Sequence, residues 1–175
     1  MLFRSLKLHV DNWRWAGVPF YLRHGKRLPK QVAEIAIQFK AAPPVLFAAG
    51  HARPLPANVM ALRIQPDEGI ALRMNAKVPG TTLNLQPVRM DFLYGRSFGA
   101  RSPEAYERLL HDAIAGDSTL FLRGDEVELT WGITDSIRNG WATNRIAPAT
   151  YEAGAWGPRE ADELLERDGR EWRRP

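Results

Sequence analysis

The sequence contains no cysteine. This absence excludes disulfide bonds, thiolate metal sites and cysteine nucleophiles, and it leaves the protein without a redox group of its own. Long apolar runs are missing as well, because no stretch approaches the roughly 18 consecutive apolar residues of a membrane span. The first residues also lack the pattern of a signal peptide. We therefore predict a cytoplasmic protein with no membrane association.

Histidine is scarce, with residues only at positions 9, 24, 51 and 111. These positions lack the short spacing and the accompanying carboxylates that a metal site requires. His111 lies in a predicted helix, where we interpret it as a structural residue rather than a general base. The sequence thus predicts no metal site and no catalytic histidine.

Basic residues do not form a continuous stripe. The net charge of +4 favours anionic partners, but the only dense basic segment covers residues 23–30. A nucleic-acid surface would repeat basic residues and exposed aromatic residues along one face, and no known nucleic-acid-binding motif occurs. We therefore expect no nucleic-acid partner.

The first part of the chain has the alternation of β-strands. Extended runs are predicted over residues 2–10, 19–23, 32–39, 58–66, 69–80 and 83–95. In the third run, Ile35 and Ile37 face one way, whereas Glu34 and Gln38 face the other. Turn residues after the fourth and fifth runs indicate antiparallel neighbours. The proline-rich stretch 41–57 is typical of a surface loop.

Helical patterns follow the strands. One helix is predicted from Pro103, capped by Ser102, to Gly116, a second from near Asp125, and a third from Pro158 to Gly169. Apolar residues of the second helix are expected to face a sheet. This order predicts an α+β fold, in which a few helices cover a large, mostly antiparallel sheet. The length suits one domain over residues 1–175.

A basic turn after the second predicted strand is the best candidate for a binding site. Gly25 would let the backbone approach an anion, and the Lys26 ammonium could meet phosphate oxygens. A solvated basic turn without function is the alternative interpretation.

The segment containing this turn reads NWRWAGVPFYLRHGKRL from Asn12, and further motifs follow it in order along nearly the whole chain. They are EIAIQF, RIQPDEGI, KVPG, MDFLY, AYERLLHDA, FLRGDEV and YEAGAWGP. In content and order these motifs resemble the C-terminal half of glucose-6-phosphate dehydrogenases. The resemblance implies a substrate-binding and dimerisation domain of an NADP-dependent oxidoreductase in the oxidative pentose phosphate pathway.

The resemblance also implies roles for individual residues. Lys26 and Gln65 match the family positions at the glucose 6-phosphate pocket. A second basic residue of that pocket usually stands where this chain has Gln31, and the neighbouring Lys30 is a candidate replacement. An offset of one residue on an extended strand would point Lys30 to the other face.

NADP in this family is bound mainly by an N-terminal Rossmann domain, which also carries the histidine base. Neither its phosphate loop, G-x-x-G-D-L-A, nor its R-I-D-H-Y-L-G-K motif occurs here. Some members hold a second, structural NADP. Arg63 and Asp91 match positions associated with it, but Val32 and Ala36 stand where basic residues are usual, so we expect no tight structural cofactor.

Two functional hypotheses follow. The first is the glucose 6-phosphate-binding half of the enzyme, which forms homodimers and is inactive as an isolated chain. The second is a standalone, self-associating interaction or regulatory module without catalysis.

Overall fold

A computed structural model describes residues 3–41, 55–81, 84–99 and 105–175. The chain divides into two compact units. The first unit contains residues 1–100 and 151–175, and the second contains residues 101–150. All strands of the described residues, and the residues matched to the pocket, belong to the first unit.

The first unit is built from antiparallel strands, which confirms the predicted α+β class. The strands are β1 (Phe3–His9), β2 (Pro19–Gly25), β3 (Ala33–Gln38), β4 (Val59–Gln65), β5 (Gly69–Lys77) and β6 (Leu85–Leu93). Over the described residues they form a two-stranded sheet, β1-β2, and a four-stranded sheet in the order β3-β4-β5-β6. Two sheets therefore stand where the sequence suggested one.

The connection between β1 and β2 is organised by Asn12. Its side-chain oxygen accepts hydrogen bonds from the backbone N–H groups of Arg14 and Trp15, at 3.1 and 2.9 Å. Asparagine commonly stabilises turns in this way. Gly17 then adopts a left-handed φ of 76°, which suits glycine. The chain reverses, and β2 pairs with β1 so that Leu22 lies opposite Leu6.

The register of the larger sheet gathers apolar residues on one face. Two rows cross all four strands, Ile35, Leu62, Ile70 and Phe92 in one, and Ile37, Met60, Leu72 and Met90 in the other. Successive side chains on a strand alternate between faces, so both rows share one face. This confirms the predicted alternation around Ile35 and Ile37. The apolar face is open: Ile35 is 53% exposed and Met90 55%.

A β-bulge interrupts the pairing of β3 with β4. Glu34 lies opposite Arg63 and Ala33 lies opposite Gln65, which leaves Ile64 as the extra residue. Bulges bend a strand and redirect the side chains near it. Gln65, at the end of β4, is therefore placed by an irregularity that the sequence pattern did not reveal.

The sixth strand is shorter than predicted. It ends at Leu93, and residues expected to be extended enter the short helix α1 (Tyr94–Phe98). The rings of Phe92, Tyr94 and Phe98 contact one another, with centroids 4.9 to 6.3 Å apart. This aromatic cluster accounts for the change of backbone, because a helical turn brings residues four apart together.

The remaining helices lie close to their predicted positions. They are α2 (Ala105–Ala115), α3 (Gly124–Thr143) and α4 (Arg159–Glu166). The predicted start of α2 at Ser102 and most of the predicted loop, residues 42–54, lie outside the described residues. Helix α3 begins after Arg123, whose N–H donates to the Glu126 carboxylate at 3.0 Å. None of the helices in the described ranges is long and apolar enough to cross a membrane.

Candidate functional site

The turn after β2 presents Lys26 to solvent. Two backbone carbonyls of this turn accept hydrogen bonds from the segment that precedes α4. The Tyr151 hydroxyl donates to the Lys26 carbonyl at 2.5 Å, and the Gly154 N–H donates to the Arg27 carbonyl at 2.8 Å. Arg27 has a left-handed φ of 56°, which is uncommon for a residue other than glycine. The turn is thus held by residues more than 120 positions away.

Two glycines let an aromatic ring pack beneath the turn. A Cβ atom on Gly25 would lie 2.7 Å from a ring carbon of Phe3, and one on Gly157 would lie 2.4 Å from the same ring. The Phe3 ring also meets Tyr151 edge to face, with centroids 5.4 Å apart. The sequence interpretation gave Gly25 the role of admitting an anion. Its structural role is to make room for Phe3.

Arg23, three residues before Lys26, is engaged by the C-terminal segment. Its guanidinium carbon lies 5.0 Å from the ring centre of Trp156 and 4.8 Å from that of Trp172. One guanidinium nitrogen donates to the Arg173 carbonyl at 3.2 Å. Burial lowers the pKa of Arg23 below its ordinary value. Aromatic faces stabilise this partly buried cation, which fastens β2 to the chain's last residues.

The same segment is fastened to β3. The Arg173 guanidinium donates to the Glu34 carboxylate at 2.8 Å, and the Glu34 side chain is only 10% exposed. Trp172 donates its indole N–H to the Ala161 carbonyl at 2.8 Å. The segment after α4 therefore bridges the two sheets through charge-assisted and neutral hydrogen bonds.

A second polar cluster lies just after α4. The Asp168 carboxylate accepts a hydrogen bond from the Tyr21 hydroxyl and forms an ion pair with Lys7 at 2.6 Å. The hydrogen bond from Lys7 is the largest cause that lowers the pKa of Asp168, followed by that from Tyr21. Arg170 lies over the Tyr21 ring, 5.9 Å from its centre. This cluster ties α4 to both strands of the smaller sheet.

Gln65, the other residue matched to the sugar-phosphate pocket, is exposed at the end of β4. The register places it opposite Ala33, at the start of β3. Lys26 directly follows β2. The connection from β2 to β3 therefore runs from Lys26 to the start of β3, where Ala33 lies opposite Gln65. The contact of both side chains with one ligand stays a prediction.

Lys30, proposed as a replacement for the second basic residue, donates to the Pro175 carbonyl at 2.7 Å. Its ammonium is thus directed to the last residue of the chain in this structure. The role of Lys30 in the pocket stays a prediction.

Arg63 and Asp91 lie on neighbouring strands and bind each other. The Asp91 carboxylate accepts hydrogen bonds from Arg63 at 2.9 Å and from Arg89 at 2.8 Å. The hydrogen bond from Arg89 is the largest cause that lowers the pKa of Asp91. Arg63 and Asp91, which match positions of a structural NADP site, thus form an ion-pair triad with Arg89. The absence of a tight structural cofactor stays a prediction.

Comparisons with known proteins agree with the motifs. A family model described as glucose-6-phosphate dehydrogenase, C-terminal domain, matches residues 2–173. The chain belongs to this family. It is 51% identical over 173 residues to glucose-6-phosphate 1-dehydrogenase 2 of Mycobacterium tuberculosis, covering 99% of this chain and 34% of that protein. It is 50% identical over 171 residues to glucose-6-phosphate 1-dehydrogenase of Chlamydia trachomatis, covering 97% and 39%.

Solved structures of the family share the fold. The structure of glucose-6-phosphate 1-dehydrogenase from Mycobacterium avium has a TM-score of 0.80 at 35% identity, covering 99% of this chain and 35% of that chain. A glucose-6-phosphate dehydrogenase in complex with its substrate, glucose 6-phosphate, has a TM-score of 0.82 at 32% identity, covering 98% and 35%. This glucose-6-phosphate dehydrogenase domain thus spans about a third of the length of the curated relatives it matches.

The three described histidines lie on different elements. His9 ends β1, His24 lies on β2 and His111 on α2, and all three are exposed, while His51 lies outside the described residues. Within the ranges that the structure describes, no three or more histidine, aspartate and glutamate side chains come together as a metal site.

Sequence reasoning missed the residues that hold the Lys26 turn and the Arg23 side chain before it. Tyr151, Gly154 and Trp156 lie in the motif YEAGAWGP, which was quoted only as part of the family resemblance. One signal was present, since a glycine-rich aromatic segment outside any helix or strand needs a packing surface elsewhere. The motif itself does not indicate that this segment packs against the turn after β2.

Proposed function

We propose that this domain binds glucose 6-phosphate and pairs subunits in an NADP-dependent glucose-6-phosphate dehydrogenase. The observation that carries the proposal is the family match over residues 2–173, together with 51% identity to a relative over 99% of the chain. The enzyme would convert glucose 6-phosphate to 6-phosphogluconolactone, at the start of the oxidative pentose phosphate pathway. The cytoplasmic location stays a prediction.

The proposed role of Lys26 is to bind the phosphate. Its ammonium is a compact charge on a flexible stem, and its exposure leaves it accessible to a ligand. The backbone below it is fixed by Tyr151 and Gly154, so the side chain starts from a defined point. An ammonium of this kind forms charge-assisted hydrogen bonds with phosphate oxygens.

The proposed role of Gln65 is to bind the sugar. An amide side chain can both donate to and accept from hydroxyl groups, which suits a ligand rich in hydroxyls. Holding the phosphate and the sugar from two strand ends orients C1, and such orientation lowers the entropic part of the barrier. NADP, bound mainly outside this domain, would supply the hydride acceptor.

Subunit pairing is proposed through the four-stranded sheet. Its open face carries the two apolar rows that end at Phe92 and Met90. Contiguous apolar surfaces of this kind mark interaction sites, and most oligomers of soluble proteins pair identical surfaces around a twofold axis. A second copy of this domain is therefore the proposed occupant. Self-association without catalysis, the alternative hypothesis, predicts the same surface but no glucose 6-phosphate binding.

The substrate role is tested in a chimera that joins the N-terminal two thirds of the Mycobacterium tuberculosis relative to this chain. We expect Lys26→Ala to raise the KM for glucose 6-phosphate at least about tenfold, since it removes a charge-assisted contact. Gln65→Ala should raise it about threefold. Both variants should keep the unfolding temperature, because both side chains are exposed.

Lys40→Ala is the matched control, since it removes the same charge from an exposed position beyond β3. It should leave the KM unchanged. An unaltered KM for Lys26→Ala, accompanied by unfolding, would show that Lys26 is structural and that the pocket assignment is wrong.

A further inference from the structure

We infer that Tyr151 is a positioning residue for Lys26. It acts through the hydrogen bond from its hydroxyl to the Lys26 carbonyl, at 2.5 Å. The inference rests on the proposed function, because it assigns Tyr151 a part in substrate binding without any contact to the substrate.

The turn depends on contacts from outside its own strand. Over the described residues, the ladder between β1 and β2 ends with the pair Phe3 and Gly25, one residue before Lys26. The next residue, Arg27, is in the left-handed region with a φ of 56°, a conformation that the surrounding structure must hold. The donors provided by Tyr151 and Gly154 bind the two consecutive carbonyls of this segment.

Tyr151 is itself positioned by the sheet. Its ring meets Phe3 edge to face, with centroids 5.4 Å apart, and Phe3 pairs with Gly25 in the register of β1 and β2. The hydroxyl therefore stands at a fixed distance from the strand that leads into the turn. The sheet, the ring and the hydrogen bond together fix the backbone from which the Lys26 side chain projects.

A fixed backbone matters because lysine is flexible. The ammonium stands at the end of four carbons, and ordering such a side chain costs conformational entropy. If the Lys26 carbonyl lost its donor, the turn would sample more orientations, and fewer of them would aim the ammonium at the phosphate. Phosphate affinity would fall although no contact to phosphate had been removed.

Tyr151→Phe isolates this effect. It keeps the ring that packs on Phe3 and removes only the hydroxyl donor. The Gly154 N–H still binds the Arg27 carbonyl, so the turn should loosen without unfolding. The matched control is Tyr21→Phe, which also removes a tyrosine hydrogen bond to the C-terminal segment, in that case to Asp168. Tyr21 lies within β2 and does not contact the turn carbonyls.

The experiment is an NMR titration of the full 175-residue chain with glucose 6-phosphate, with glucose as the control ligand. We expect Tyr151→Phe to weaken glucose 6-phosphate binding about three- to fivefold, the typical effect of one hydrogen bond. Tyr21→Phe should leave it unchanged. Amide exchange at Arg27 and Leu28 should become faster in Tyr151→Phe only, a result that does not require any ligand.

A double-mutant cycle separates positioning from general stability. If Tyr151 acts through Lys26, Tyr151→Phe should have no further effect on affinity in a Lys26→Ala background. A merely structural role would lower the unfolding temperature and affinity equally in both backgrounds, and this result would overturn the inference. If Lys26→Ala weakens binding and Tyr151→Phe does not, the inference fails and the proposed function stands. If neither the unchanged chain nor its chimera with the N-terminal two thirds binds glucose 6-phosphate, both fail.

Discussion

The two sheets of the first unit are stabilised in different ways. The smaller sheet is joined to α4 and the last residues by specific side-chain contacts, including those of Arg23, Tyr21 and Tyr151. The larger sheet is held by its ladder, and one face presents apolar rows to solvent. Specific polar contacts complete a structure within one chain, whereas an open apolar face favours a partner.

The difference also separates the two proposed activities. The Lys26 turn is held by contacts within one chain, so its geometry does not require a partner. In the proposed dimer, a second copy would cover the apolar face of the larger sheet. Substitutions in the smaller sheet and the Lys26 turn should therefore change folding or ligand affinity. Substitutions on the apolar face of the larger sheet should change the oligomeric state.

The largest expected loss of stability comes from removing a buried side chain of α4, which packs in the region of the smaller sheet. Leu165, on α4, is 3% exposed, so Leu165→Ala should lower the free energy of unfolding by about 3 kcal/mol. Leu22→Ala is the matched control, because Leu22 is 48% exposed, and it should cost about 1 kcal/mol or less. Chemical denaturation measures both. Equal losses would mean that Leu165 is not packed more tightly than the half-exposed Leu22.

Inserting a methyl group into the larger sheet tests its ladder. A Cβ atom on Gly69 would lie 2.2 Å from the Phe92 carbonyl oxygen, which belongs to the backbone of β6. Gly69→Ala should therefore cost about 2 kcal/mol, because β5 and β6 must move apart. Gly95→Ala is the control, since a Cβ atom there meets nothing within 4 Å. Thermal unfolding of Gly69→Ala at the wild-type temperature would contradict the register.

The open face can be tested with two neighbouring residues of β3. Ile37 lies in an apolar row, whereas Gln38 faces the other way. Ile37→Lys would place a charge in the proposed interface and should raise the dimer dissociation constant at least about tenfold, because burying an unpaired charge is costly. Gln38→Lys should leave dimerisation unchanged. Light scattering that finds a folded monomer for the unchanged chain at high concentration would refute pairing.

The smallest effect concerns the Asp168 cluster. The pKa of the Asp168 carboxyl is lowered by Lys7 and Tyr21, so this group binds a proton less tightly in the folded chain than in the unfolded chain. The stabilisation is complete above the unfolded pKa of about 3.9 and is lost as pH falls through the lower folded pKa.

Asp168→Asn removes the charge and keeps the shape of the side chain. We expect a small fall in unfolding temperature near neutral pH. The difference from the unchanged chain should shrink once pH drops below about 4. A difference that grows with acidification would have the wrong sign for this ion pair.

Local patterns were sufficient to predict the elements. Extended patterns predicted the six strands that the described residues form, and β4, β5 and β6 pair as the intervening turns indicated. The apolar spacing predicted α4 from Pro158, and the structure begins it one residue later, at Arg159. These features depend on neighbours a few residues apart, which the sequence shows directly. The predicted end of β6 was wrong, because contacts among Phe92, Tyr94 and Phe98 favour a helical turn over the extended pattern.

The same distinction between local and long-range features applies to the candidate site. Lys26 and Gln65 could be chosen by their motifs, because the motif residues are contiguous in the sequence. The bulge at Ile64, the packing of Phe3 against Gly25 and the bond from Tyr151 to Lys26 could not be predicted.

The sequence by itself determined the fold class, the family and the residue types at the turn. Only the tertiary structure decided what holds that turn and the strands β2 and β3 beside it, because these contacts join residues 125 or more positions apart: Tyr151 with Lys26, Arg173 with Glu34, and Arg23 with Arg173. Periodicity reports which face of an element is apolar, but it carries no information about which distant segment covers that face.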